Sequence, residues 1–420
     1  MLAMLTYHHY LQYSLSMTII RLLLTLILTS QCLFLNAAEA KLTSAQLEQA
    51  QSAFDKALYG STMKLVAATA KTDFAASLLE AKTVQAYDGG DPQILYMRTA
   101  ALAPQKSEAA MWKGYSLFLS RKYLPAQSEL EMAIKLDPKN AQAHALLGCC
   151  LCHLDEVDHG LTEFKKAQQL DPKANQFDEY LAMGYAGAGE SKKAEAVFNK
   201  LVSQKPKSAR IYILRADFFD EAGKFKQALA DYDRALQLSP LSQYAHYRRA
   251  REFFNQGSFE KSIPDAQKGA TLENIEDFGS KSQRLLAYAY DKTGQYQKAI
   301  NEMKPLVAYT AHERSLSGTA KLSLMLLIED YEKIHDYKSA MSTVNIVCRI
   351  EPKSTEALAK RARIYSELKD DRNALHDYNV LISSDPSNPE WYRGRAKIFE
   401  KLGRPESAKA DLKKAKELDY

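Results

Sequence analysis

Four prolines, Pro138, Pro172, Pro206 and Pro240, stand 34 residues apart, and Pro352 and Pro386 repeat the interval further along. Each follows an apolar stretch, as in Leu136-Asp137-Pro138 and Leu170-Asp171-Pro172. Proline lacks the amide proton a helix needs and clashes with the preceding turn, so it marks the end of one helix and the start of a connection. A helix end recurring at a fixed interval means that one small unit is repeated. A unit of that size cannot bury an apolar face alone and gains stability only by stacking on its neighbours. The expected fold is therefore all-α and built from a stack. Composition agrees, being rich in Ala, Leu, Lys, Glu and Gln, with 17 Gly and 13 Pro in 420 residues.

Alignment on the prolines sets repeats beginning at 107, 141, 175, 209, 243, 280, 321, 355 and 389. The eighth position is small in all but one: Gly114, Gly148, Ala182, Ala216, Ala250, Ala287, Ala362 and Ala396, against Ile328. The twentieth is small throughout, as in Ala126, Gly160, Ala194, Ala228 and Ser262. The eleventh is large and often aromatic, as in Tyr185, Phe219, Phe253, Tyr290 and Tyr365. Small residues let two helices approach and large ones fill the space beside them. This pattern resembles the tetratricopeptide repeat family over roughly 107–420, with a degenerate unit at 73–106. The resemblance implies an α-solenoid of helix-turn-helix units, a right-handed superhelix whose first helices line a concave groove. Residues 43–71 read as two further helices outside the pattern. Extra residues near 274–279 and 311–320, and Pro305 inside a second helix, place an expected division between blocks 107–279 and 280–420.

The first forty residues differ in kind. Met17-Thr18-Ile19-Ile20-Arg21 is a short basic start, an apolar run follows from Leu22, and Ala38-Glu39-Ala40 fits a cleavage site. That order describes a secretory signal peptide over 1–40, with Met17 as the expected true start and an exported mature chain, periplasmic or extracellular, as the consequence. The rival is an uncleaved anchor, but the about 14 residues from Leu22 to Leu35 fall short of the roughly 20 that a span needs. Gln31 before Cys32 speaks against lipid attachment.

Arg recurs at the seventh position (Arg215, Arg249, Arg361, Arg395), and the same four repeats carry Asp at the twenty-third (Asp231, Asp265, Asp377, Asp411). In the family these positions face each other across one unit, so they are read as structural ion pairs rather than a binding site. The family's groove positions assign a different set to partner binding. Early repeats present Met111, Tyr115, Phe118 and Met183, soft and apolar. Middle ones present Asp217, Asp220, Tyr244, Tyr247, Arg251, Arg284 and Tyr288. The last present Arg363, Arg393 and Lys397. Tyr and Arg anchor many interfaces. The Lys and Asn with which cochaperone members grip a terminal carboxylate are absent, their places held by pairs such as Met111 with Tyr115.

One motif carries possible chemistry. Cys149-x-x-Cys152-His153 matches the attachment signature of c-type haem, in which two thiols one helical turn apart add to vinyl groups and the His binds iron. A zinc site on the same residues is a weaker variant. Against both, the segment sits in repeat register as a run of small residues filling helix positions. No G-x-S-x-G, phosphate loop or H-E-x-x-H occurs, and a net charge of +5 over this length is no nucleic-acid footprint. The sequence thus points to a non-enzymatic scaffold without a cofactor that holds a protein or peptide in its groove. A haem or redox protein is the alternative, and an accessory subunit of an envelope assembly is another.

Overall fold

The computed structural model describes residues 44–55, 70, 73–88, 93–172, 174, 177–271 and 278–419. The signal segment 1–40, with Cys32 inside it, lies outside them. Every regular element among the described residues is helical. Three helices precede the regular array: α1 (Ser44–Asp55), α2 (Phe74–Asp88) and α3 (Gln93–Leu102). Nine helix pairs follow. They are α4 (Ser107–Leu119) with α5 (Tyr123–Leu136), α6 (Ala141–His153) with α7 (Val157–Leu170), and α8 (Phe177–Gly187) with α9 (Ser191–Gln204). Next come α10 (Ala209–Glu221) with α11 (Phe225–Leu238), α12 (Gln243–Asn255) with α13 (Phe259–Thr271), and α14 (Phe278–Lys292) with α15 (Tyr296–Val307). The last are α16 (Gly318–Lys333) with α17 (Tyr337–Ile350), α18 (Thr355–Glu367) with α19 (Asp371–Ser384), and α20 (Pro389–Lys401) with α21 (Pro405–Leu418).

The small positions do what the spacing requires. A methyl group placed on Gly148 would lie 2.7 Å from the Gly160 carbonyl oxygen, and one on Gly160 would lie 2.6 Å from that of Gly148. Backbone meets backbone there, so α6 and α7 have no room for a side chain at either position.

The turn between the helices of a pair is built identically nine times. Its fifteenth residue is left-handed in every repeat: Gly189, Gly223, Gly257, Gly294 and Gly403, and also Arg121, Asp155, His335 and Lys369. The next amide donates back over five residues to the eleventh-position carbonyl, as in Lys224 to Phe219 at 2.7 Å and Asp336 to Tyr331 at 2.9 Å. This closes the first helix by a Schellman motif and reverses the chain in two or three residues.

The described chain separates into two compact units, one holding residues up to 83 and 93–143, the other 84–92 and 144–420. The boundary falls within α6. In the second unit apolar clusters run past the insertions. One joins Ala250 and Ala266 to Leu285 and Tyr290. Another joins Ile300, Met303 and Val307 to Leu324, Val344, Leu358 and Ile398. Pro305 leaves α15 at 12 residues where α13 has 13 and α17 has 14, and a 3-10 turn over Ala308–His312 carries the chain onward. No helix among the described residues is long and apolar enough to cross a membrane.

Candidate functional site

The four arginines of the seventh position each make a two-pronged contact with their own Asp. Arg215 donates to Asp231 at 2.7 and 2.7 Å, Arg249 to Asp265 at 2.6 and 2.7 Å, Arg361 to Asp377 at 2.7 and 2.7 Å, and Arg395 to Asp411 at 2.8 and 2.8 Å. The third nitrogen reaches the preceding repeat: Arg215 to Asn199, Arg249 to Asp233 and Arg395 to Asn379. Each guanidinium therefore ties its own two helices together, and those of Arg215, Arg249 and Arg395 also tie their repeat to the one before. Burial alone would raise the Asp265 carboxyl, but hydrogen bonds from His246 and Arg249 hold it below the usual carboxylate range.

The acid of the twenty-third position is a wider device than the Arg–Asp motif revealed. Glu129 takes Lys113 at 2.6 Å, and Glu163 takes His144 at 2.6 Å from the fourth position. Glu302 takes Gln283, again from the fourth position, at 3.3 Å. A search for Arg alone misses these, because Lys113 keeps the seventh position but changes the donor's identity, while His144 and Gln283 change both. The fourth position also serves the repeat's proline, whose carbonyl accepts from Tyr212, His246 or Tyr392.

The expected groove residues divide by region. Met111, Tyr115 and Phe118 are 2, 0 and 6 % exposed, and they belong to the core of the first unit. Tyr96 of α3 stacks on Trp112 at 4.3 Å and tilts against Tyr115 at 5.6 Å. The expected apolar early groove is thus a core that α4 shares with α3, with positions nine and twelve inside it. Cys149 and Cys152 occupy the same positions and are likewise buried, at 0 and 1 %. A methyl on Gly160 would sit 2.7 Å from the Cys152 sulfur, and the His153 ring lies against Gly187. Burial pushes the Cys152 thiol up to about 11 and that of Cys149 well above its ordinary value. These thiols fill helix contacts with no open side for a porphyrin. Among the described residues no group of three His, Cys, Asp or Glu is placed to hold a metal ion. Met183 is half-buried against the α9–α11 core.

From α10 onward the same positions carry charge. Asp217 accepts from the Tyr232 hydroxyl at 2.5 Å, from the Tyr244 hydroxyl at 2.6 Å and from Arg248 at 2.8 Å. Asp220 accepts from Arg248 at 3.0 Å and from Arg251 at 2.9 Å. Burial opposes the charge on Arg248, yet Asp217 and the two phenols outweigh it and hold the guanidinium above its ordinary value. Burial and then Asp217 push the Tyr232 phenol up. Further along, Lys360 meets Glu329 at 2.6 Å, and Arg363 meets Glu332 at 3.0 and 2.9 Å. Arg393 pairs with Glu390 and Asp419. Tyr247 is half-buried on the α12–α14 core, Arg284 is half-buried beside Tyr288, and Lys397 is exposed. The result is a polar face along the first helices of the second unit, crosslinked at α10–α12 and at α16–α18. Arg248, which the sequence reading did not select, is its most connected cation; the adjacent run Arg248-Arg249-Ala250-Arg251 was the available signal.

A sequence model described as anaphase-promoting complex, cyclosome, subunit 3 matches residues 93–167. Two models described as tetratricopeptide repeat match 180–242 with 213–277, and 394–420. No curated protein matches the sequence. Among solved structures, the human IFIT1 dimer with PPP-AAAA is 15 % identical, with 74 % of this chain and 72 % of that one covered at a TM-score of 0.45. The APC/C hetero-tetramer Cut9–Hcn1 is 13 % identical over 89 % of this chain and 86 % of that one, at 0.33. The P58(IPK) TPR domain is 18 % identical over 79 % and 99 %, at 0.25.

Proposed function

This chain is a tetratricopeptide repeat protein, a protein-interaction scaffold by architecture, and from that premise we propose that it holds an extended polypeptide along the first-helix face of its second unit. The observation that supports this is the ladder of half-exposed polar side chains joining successive first helices: Asp220 with Arg251, Glu329 with Lys360, and Glu332 with Arg363. In the family this face lines the concave groove. Charged groups crosslinked in this way are ordered before a ligand arrives, so less side-chain entropy is lost on binding. The role is that of a non-enzymatic scaffold. Its place is outside the cytoplasmic membrane of a bacterium-like cell, on the strength of the signal-like order of residues 17–40. An accessory subunit of an envelope assembly is the same reading with the partner specified.

The test is photocrosslinking in cells from a benzoylphenylalanine placed at Tyr247, Tyr288 or Lys397, with Leu124 on α5 as the control site. Discrete polypeptide adducts from the three face positions, and none from Leu124, are expected. Equal adducts from all four, or none, overturn the reading. Fractionation of the same cells tests the location: a mature chain that stays with the cytosol overturns it.

A further inference from the structure

Two repeats alone carry an acid at the tenth position, Glu252 and Asp330, and in both the preceding repeat carries Asp at the twelfth, Asp220 and Asp291. The tenth position is buried, at 1 % exposure for Glu252 and 0 % for Asp330. Each pair thus sets a buried carboxyl close to the carboxyl of the neighbouring first helix, an arrangement that repels itself unless a cation is present.

The first pair has its cation. Arg251, one residue before Glu252, donates to Asp220 at 2.9 Å, and Arg248 joins it at 3.0 Å. Gln256 donates to Glu252 Oε1 at 2.6 Å, while Glu252 Oε2 is buried without a hydrogen-bond partner. The second pair has lost all three donors. The residues in register with Arg248, Arg251 and Gln256 are Leu326, Glu329 and Ile334. Both oxygens of Asp330 are buried without a hydrogen-bond partner. Lys292 lies 3.2 Å from Asp291, and Lys360 is taken up by Glu329. Asp291 and Glu329, 15 and 50 % exposed at their side chains, stand where solvent reaches, with Asp330 beneath.

We infer that Asp291 and Asp330 receive a guanidinium from outside, an arginine side chain of the polypeptide lying on the first-helix face. The chain itself supplies the template, because Arg251 fills the same register two repeats earlier. A planar fork of donors suits two carboxylates on adjacent helices better than a point charge does. The burial of Asp330 and the repulsion from Asp291 agree, since together they push the Asp330 carboxyl up to about 8. A bound guanidinium would return it to the ionised form and release its proton. The inference rests on the proposed function for the source of the arginine, not for the site.

The probe is N-acetyl-arginine amide on the full chain at fixed ionic strength near pH 7, against N-acetyl-citrulline amide, its neutral isostere. The arginine compound is expected to raise the unfolding temperature and release protons, at least tenfold more effectively than the citrulline compound. Glu329→Arg, which supplies the cation from within, and Asp291→Asn are each expected to abolish the difference. Equal effects of the two compounds, or an undiminished difference in both variants, overturn the site. Polypeptide adducts from Tyr288 with a silent arginine probe would leave the scaffold reading standing and remove the receptor. A selective probe with no adducts at any face position would remove the scaffold reading and, with it, the polypeptide as the source of the arginine.

Discussion

The α10–α12 and α14–α16 contacts begin from the same problem and end differently. Each places a buried carboxyl from one first helix against an aspartate of the preceding one. At α10–α12 the cost of burying charge is met by Arg248, Arg251, Tyr232, Tyr244 and Gln256. At α14–α16 the acids stay while the donors are replaced by Leu326, Glu329 and Ile334. One contact is a network that leaves a single oxygen of its buried acid, Glu252 Oε2, without a partner; the other leaves both oxygens of Asp330 without one. A buried charge without a partner costs more than the apolar residue that could replace it. An unpartnered Asp330 beside Asp291 is therefore where the proposed guanidinium would enter.

The largest effect is expected from breaking the closed contact. Arg248→Ala leaves Asp217 and Asp220 half-buried with less cation, and stability should fall by about 3–5 kcal/mol, as for removal of one partner of a buried pair. Urea unfolding followed by circular dichroism reads the loss, which should be accompanied by a lower unfolding slope as the stack splits. A loss below about 1 kcal/mol would mean that the network is a surface array and the contrast between the contacts is false.

The open contact should respond to pH. Burial, Asp291 and Glu329 raise the Asp330 carboxyl from 3.8 to about 8, with Lys292 opposing them. Between those values the folded chain holds a proton that the unfolded chain has given up. Stability from this group is thus greatest below pH about 4, falls as pH rises, and levels off above pH about 8. Asp330→Asn should remove the slope and gain about 1–3 kcal/mol at pH 8, where an unpartnered charge is otherwise buried. Equal stability of the two proteins at pH 8 would show that Asp330 finds a donor in solution.

Much of this contrast could be read from the sequence and part of it could not. The proline interval and the small eighth and twentieth positions report contacts inside one unit, where spacing is fixed, and so they were legible. Whether Met111, Tyr115 or Cys149 faces solvent depends on how closely neighbouring helices pack, and all three are buried. A periodic pattern assigns those positions to a face without saying how closely the neighbour lies. The Arg–Asp motif was visible because both residues repeat. Glu129, Glu163 and Glu302 escaped because Lys113 shares the arginines' position but not their type, and His144 and Gln283 share neither.

The smallest expected effect separates helix stability from charge as the reason the two contacts differ. Helices α12 and α16, which carry the two buried acids, end on left-handed residues of different cost, Gly257 at φ 72° and His335 at φ 59°. A side chain in that conformation is strained by about 1 kcal/mol relative to glycine. Some of that is offset in His335 by its contact with Tyr337, whose hydroxyl lies 3.0 Å from Nδ1. His335→Gly should therefore stabilise the chain by about 0.5 kcal/mol, and Gly257→Ala should destabilise it by about 1 kcal/mol. Neither change touches a carboxylate, so neither should alter the pH slope assigned to Asp330. If His335→Gly flattened that slope, Asp330 would owe its raised titration to a loosely closed α16 and not to the missing arginines, and the comparison between the contacts would have to be rebuilt on helix ends instead of charge.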